Sequence, residues 1–156
     1  SNTVMVAHTH PYGGFPSPSP GDFYGLGTFN SNFLMNYTIA YNGSKYALYV
    51  NSHSQLQAFL TNNPNAVNSS GQFNPATTIG QQWYVIVATL GDQGYTELEA
   101  YERATAFVMK QAGVTMVKAS PNSNTFKKVG LKIKMQNGTP VLNSYGDPLF
   151  ENSDCP

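Results

Sequence analysis

The sequence predicts an α+β fold, with a single mixed or antiparallel sheet and two or three helices. Three observations carry that reading. Two β-rich runs, 33–41 and 45–50, flank Asn42-Gly43, a dipeptide suited to tight hairpins. A segment from Thr96 joins a capping box, Thr96 with Glu99, to apolar residues at helical spacing. No repeat or linker divides the 156 residues, so one domain is expected over 1–156, long enough to bury roughly 70% of the unfolded chain's surface.

Taken in order, Val4, Met5 and Val6 predict a buried strand over 3–8 that runs into His8. Pro11, Gly13, Gly14, Pro16, Pro18 and Pro20 then exclude regular structure. Ser19 is an N-cap type, Pro20 suits the first helical position, and Asp22 falls at the third. A short helix is expected from Pro20 to about Asn30, with Phe23, Leu26 and Gly27 toward the core. Gly25 and Gly27 each weaken it by about 1 kcal/mol relative to alanine, so packing must hold it.

Past the first hairpin, Ser54 caps a helix over 55–60. Residues 61–81, rich in Asn, Ser, Gly and Gln, predict a long loop, either a lid or an insertion beside the site. Trp83 to Leu90 reads as a buried strand, with a helix left open because short apolar runs are ambiguous. In the Thr96 helix, Leu98, Tyr101, Ala104, Thr105, Val108 and Met109 face the core, and Gly113 stops it. A strand follows over 114–118. A second hairpin pairs 129–135 with 141–143 across Asn137-Gly138, ahead of a polar, solvated tail over about 146–156 holding Asp147, Glu151 and Asp154.

Only 10% of the residues are charged, and eight basic side chains balance eight acidic ones. That leaves no electrostatic footprint for nucleic acid. Lys127, Lys128, Lys132 and Lys134 form the one basic cluster, and the alternation through Lys132-Ile133-Lys134-Met135 reads as the wet face of a strand. Cys155, the sole cysteine, can make no intramolecular disulfide and reads as a bystander. No signal peptide and no apolar run near the ~20 residues of a membrane span are visible. The Asn-rich, charge-poor surface suits a bacterial envelope or secreted protein.

The chemistry concentrates in His8-Thr9-His10-Pro11 and, beyond the Pro/Gly loop, Ser19-Pro20-Gly21-Asp22. Residues two apart on a strand share a face, so His8 and His10 can reach one ion. A carboxylate in the first turn of a helix stays ionised, as a metal ligand must. Two imidazoles and one carboxylate make a set of three that leaves a fourth position for water at a catalytic zinc.

These residues, in this order, resemble the JAMM (MPN-type) zinc metalloprotease motif, H-x-H-P followed by S-x-x-D. The resemblance covers about residues 4–30, and the loop between His10 and Ser19 is one residue longer than the family pattern. It implies a JAMM/cytidine-deaminase-like core and Zn2+ held by His8, His10 and Asp22. It implies a catalytic role for Ser19 at the oxyanion, and hydrolysis of a peptide or isopeptide bond by water activated on the metal.

The family's general-base Glu lies on an earlier strand, and none of Ser1 to Ala7 is acidic. The favoured expectation is that the chain is a piece of a longer protein, with Ser1-Asn2 a tag remnant. Otherwise the base comes from elsewhere, with Glu97 or Glu99 the candidates in this chain, or the domain is a non-catalytic JAMM-like module that recognises a protein partner. A C-terminal effector domain of a larger bacterial protein is a third setting. His53 reads as a surface turn histidine, and Gly91-Asp92-Gln93-Gly94 as a tight turn and not a phosphate loop.

Overall fold

The computed structural model describes residues 3–153, so the expectations for Ser1, Asn2, Asp154 and Cys155 lie outside the described residues. The fold is α+β. Strands β1 (Met5–His10), β2 (Met35–Ala40), β3 (Lys45–Val50), β4 (Val114–Ala119) and β5 (Lys127–Lys128) form one sheet in that order. β1 runs parallel to β2, and the other neighbours are antiparallel. Parallel strands need a crossover. Residues 11–34 provide it, with α1 (Pro20–Gly25) and a 3-10 turn (Leu26–Thr28) inside. The crossover leaves from the end of β1, so the loop and the start of α1 return to the strand's last residues.

β1 differs from its expectation. It runs to His10 and lies at the sheet edge, with Val4 and Met5 half exposed at 53% and 50%. Only its alternate residues Val6, His8 and His10 are partly covered. The buried strand is β3, where Tyr46, Ala47 and Leu48 are all sealed. Thr38 and Asn36 of β2 are also buried, on a strand whose covered positions alternate.

Four α-helices form where two or three were expected, because 83–90 is helical. α3 (Thr78–Asp92) starts at Thr77, whose side chain accepts from the Gly80 N–H. Ile79, Trp83, Ile86 and Leu90 are buried while Tyr84 and Val85 are exposed, which is helical and not alternating spacing. Gly80 has a steric reason: a Cβ there would lie 1.8 Å from the Asn74 carbonyl oxygen. α2 (His53–Asn62) is capped by Ser52 and not by Ser54. α4 (Glu97–Gln111) has the expected capping box. Its buried stripe is Ala100, Ala104, Thr105, Val108 and Met109, whereas Leu98 is exposed.

Two apolar clusters result. Phe23, Phe33, Leu48, Leu56, Met109 and Met116 join α1, α2 and α4 to the sheet. Phe73, Trp83, Leu90, Val108, Leu131 and Phe150 join α3 and α4 to a small ladder. That ladder corrects the expected tail. β6 (Leu131–Ile133) pairs with β9 (Phe150–Asn152), Phe150 is buried, and Glu151 meets Lys132 at 3.0 Å. Lys132 and Lys134 are exposed as expected. The second hairpin is short, β7 (Met135–Gln136) with β8 (Thr139–Pro140) across Asn137-Gly138, both at positive φ. Among the described residues no helix is long and apolar enough to cross a membrane.

Asparagine gives the loops their shape. Asn42 Oδ1 accepts from the Ser44 N–H, Asn68 Oδ1 from Ser70 and Gln72, and Asn74 Oδ1 from Ala76. Such side chains replace missing backbone partners in turns. The loop 63–77, held in this way, lies against the start of α1, where the Gly21 N–H donates to the Gly71 carbonyl at 3.0 Å.

Candidate metal centre

His8 and His10 sit on the same side of β1, opposite Thr38 and Ala40 of β2. Asp22 comes to them from the first turn of α1, which Ser19 caps as expected. The Asp22 N–H donates to Ser19 Oγ at 3.1 Å, while the Ser19 N–H and hydroxyl donate back to Asp22 Oδ2 at 2.7 and 2.8 Å. The cap therefore fixes the carboxylate. It also commits the Ser19 hydroxyl proton to Asp22.

The three predicted ligands converge. His8 Nε2 lies 3.1 Å from His10 Nε2 and 3.1 Å from Asp22 Oδ1. His10 Nε2 lies 3.1 Å from Asp22 Oδ2. Among the described residues this is the group of His, Cys, Asp and Glu side chains placed to share one ion. Tetrahedral zinc with ligand bonds of about 2.0–2.1 Å sets neighbouring ligand atoms about 3.3 Å apart; the His8 Nε2 contacts to His10 Nε2 and to Asp22 Oδ1 match that spacing, and one ligand atom from each of the three residues lies within 4.8 Å of the others.

Proton accounting strengthens the fit. His10 Nδ1 lies 3.0 Å from the Phe15 carbonyl oxygen. A carbonyl only accepts, so Nδ1 carries the hydrogen, and neutral His10 aims the lone pair of Nε2 at the carboxylate. An unprotonated nitrogen facing an acceptor oxygen is repulsive. Either a proton on Nε2 or a cation between the groups relieves it. In the metal-free protein the hydrogen bond to Asp22 raises the His10 pKa, favouring the proton, against the opposing effect of burial. Burial acts to raise the Asp22 pKa, but the bonds from His10 and Ser19 and the nearby His8 outweigh it and hold the carboxyl at about 2. The carboxylate is thus ionised throughout the neutral range. Oδ2 takes both Ser19 donors, which leaves Oδ1 for an ion.

Two elements of the centre, and a buried polar neighbour on β2, escaped the sequence reading. The Phe15 carbonyl is a backbone group and carries no residue signature. Thr38, whose Oγ1 lies 3.4 Å from His8 Nε2, and the buried Asn36, whose Oδ1 has no hydrogen-bond partner, are polar residues on the covered face of β2. Their signal was visible as alternation in Asn36-Tyr37-Thr38. His53 is not a ligand: its Nε2 meets the Phe33 carbonyl at 2.6 Å. Glu99 is tied to Thr96, and Glu97 borders a cavity shared with Tyr12, Phe15 and Gln72. Comparisons of the chain with protein-family models, with curated proteins and with solved structures each return no match, so the centre is read from its own geometry.

Proposed function

We propose that the chain is a JAMM-like zinc-dependent hydrolase of peptide or isopeptide bonds. The observation that supports this most is the meeting of His8 Nε2 and His10 Nε2, 3.1 Å apart, with the Asp22 carboxylate, His8 at 3.1 Å from Oδ1 and His10 at 3.1 Å from Oδ2, and with the His10 tautomer set by a carbonyl. Zn2+ held there would polarise a scissile carbonyl and lower the pKa of water toward ~7. The protein residues have separate tasks. Phe15 O keeps His10 Nε2 free of its own proton, and the cap at Ser19 holds Asp22 in one orientation. Ser19 also borders a cavity of about 230 Å3 beside His10. In this reading its hydroxyl turns from Asp22 to the developing oxyanion, while its N–H keeps the carboxylate in place.

The general base is a carboxylate from outside the described residues. The outer edge of β1, beside His8, pairs with no strand among the described residues and is where a further strand or a partner would bring it. Glu97 is the alternative within this chain, since its cavity adjoins that of His10 and Ser19 through Gly14, Phe15 and Gln72. A second reading, a non-catalytic module recognising a peptide or protein partner, is favoured by one observation: among the described residues the convergent group holds no second carboxylate.

Zinc analysis of the purified protein tests the ligand set. Wild type should hold one zinc per chain and His8→Ala should hold none. Equal zinc in the two proteins would remove His8 from the site. Release of amine from peptide or isopeptide substrates by the zinc-loaded parent protein, abolished in Asp22→Ala, separates the hydrolase from the binding module.

A further inference from the structure

The cavity beside His10 and Ser19 has a wall chemistry that the metal cluster does not explain. Pro11, Phe15, Pro18, Pro20 and Tyr101 supply most of its surface, and Gln72 stands at its rim. None of its lining residues is Asp, Glu, Lys or Arg. Phe15 and Tyr101 stack with ring centroids 4.0 Å apart and planes 11° from parallel, which makes a flat aromatic wall. The prolines fix the backbone opposite, so the shape is preformed. At about 230 Å3 the space is smaller than the roughly 300–1,000 Å3 of a pocket for a whole small molecule. It holds one side chain. Gly14, Phe15 and Gln72 also border a wider cavity of about 470 Å3, so the rest of an extended substrate has a path out past Glu97 and the exposed Tyr12.

From this we infer that the cavity is a specificity pocket for an uncharged, apolar side chain, aromatic or aliphatic, on the substrate residue adjoining the scissile bond. The inference rests on the hydrolase reading for the words "scissile bond", but the pocket's preference is a property of its own walls. Phe15 and Tyr101 select through contact area. A cationic side chain entering would lose its hydration and find no carboxylate in the lining, only the His10 that carries a proton or a metal ion. Discrimination by an apolar pocket is on the order of 10- to 200-fold.

A reporter lies behind the wall. Trp83, the single tryptophan, has its ring 4.6 Å from that of Tyr101 and donates from Nε1 to Thr105 Oγ1 at 3.0 Å. Tyr101 and Thr105 both line the cavity. Trp83 fluorescence therefore reads occupancy without any catalytic turnover. The probes are N-acetyl-phenylalanine amide, N-acetyl-leucine amide and N-acetyl-lysine amide, titrated into the protein with and without zinc.

The apolar probes should give a saturable change at least tenfold tighter than the lysine probe. Two variants keep the test independent of folding damage. Gly14 has open space where a Cβ would stand, and Gln72 is exposed on a loop whose turn is held by its backbone. Gly14→Leu should abolish the apolar response, and Gln72→Glu should shift preference toward the lysine probe by roughly tenfold. Equal binding of the lysine and apolar probes, or no saturable response in wild type, overturns the pocket. Zinc content measured on the same samples keeps the two claims apart. Probe binding without zinc binding sinks the hydrolase reading and leaves the pocket, whereas zinc binding without probe binding does the reverse.

Discussion

Asp22 on α1 and Glu102 on α4 are both largely shielded carboxylates, with side chains 20% and 8% exposed. Their neighbours differ in kind. Glu102 Oε2 accepts from the Tyr46 hydroxyl and from Lys118 Nζ, each at 2.7 Å. One negative charge meets one positive charge and a neutral donor, and burial and the adjacent carboxylate push the Tyr46 pKa up, so the phenol keeps its proton. That set is complete without any visitor. It ties α4 to β3 and β4. Asp22 is completed by Ser19 on one oxygen, but it also faces two imidazole nitrogens. That set has more acceptors than donors unless a proton or cation joins it. A buried cluster that balances itself is reasonably read as part of the framework, and one with converging lone pairs as a site.

The sharpest break of this contrast is removal of the two carboxylates in turn. Asp22→Ala should lower zinc affinity by more than the 10- to 100-fold that supporting residues are worth, measured by competition against a chelating dye. It should also erase the ~2.7 kcal/mol of stabilisation that zinc at a hundredfold excess over Kd gives the wild type. Glu102→Ala should do the opposite: zinc affinity unchanged, but about 3 kcal/mol lost in urea unfolding, because the fully buried Tyr46 hydroxyl loses its acceptor. If Glu102→Ala instead weakened zinc binding as Asp22→Ala does, the two clusters would be one coupled system and the contrast would fail.

The same contrast explains what could be read in advance. His8, His10 and Asp22 were legible because their relation is local: a strand's two-residue period and a helix cap fix it within 15 residues, from 8 to 22. The Glu102–Tyr46–Lys118 set was not, since it joins residues 56 apart in sequence. Over Trp83 to Leu90 the helical alternative, not the strand, is the outcome, because that window is too short to show the helical period. Ile79, Trp83, Ile86 and Leu90 give the helical period once the capping Thr77 is included. Edge position was equally invisible: Val4 and Met5 have the composition of a core strand, and only the sheet order exposes them. β9 hid in a polar tail because its apolar anchor, Phe150, packs on Phe107 of α4, far away in sequence.

A milder change probes how the cap serves the centre. Ser19→Ala removes the hydroxyl that holds Asp22 Oδ2 and the acceptor for the Asp22 N–H. It should cost about 1 kcal/mol of stability as a lost N-cap and weaken zinc by roughly tenfold as a lost supporting bond. Ser19→Thr should restore both. A hydrolytic rate that falls far more than zinc affinity does would mark the hydroxyl as an oxyanion donor as well as a cap.

The smallest effect is the most specific, because proton and metal compete for one nitrogen. Asp22 raises the His10 pKa from its ordinary 6.5 in the metal-free protein, and Nδ1 is already committed to the Phe15 carbonyl, so the added proton sits on Nε2. For stability the sign is fixed. A raised folded pKa contributes stability fully present below about pH 6.5 and lost as pH rises through the folded value. The metal-free protein should therefore lose that contribution on going from pH 6 to pH 9. Zinc must displace the same proton, so its affinity should run the other way, falling about tenfold per pH unit for this proton once pH drops below the raised value. Asp22→Asn removes the carboxylate that raises the pKa, so the His10 proton should leave at lower pH, as ring-proton NMR of the metal-free protein would record. The Glu102 cluster is complete without a metal, so Glu102→Gln should leave the His10 titration where it is. A shift of the His10 titration in Glu102→Gln, or none in Asp22→Asn, would contradict the separation of the two carboxylates.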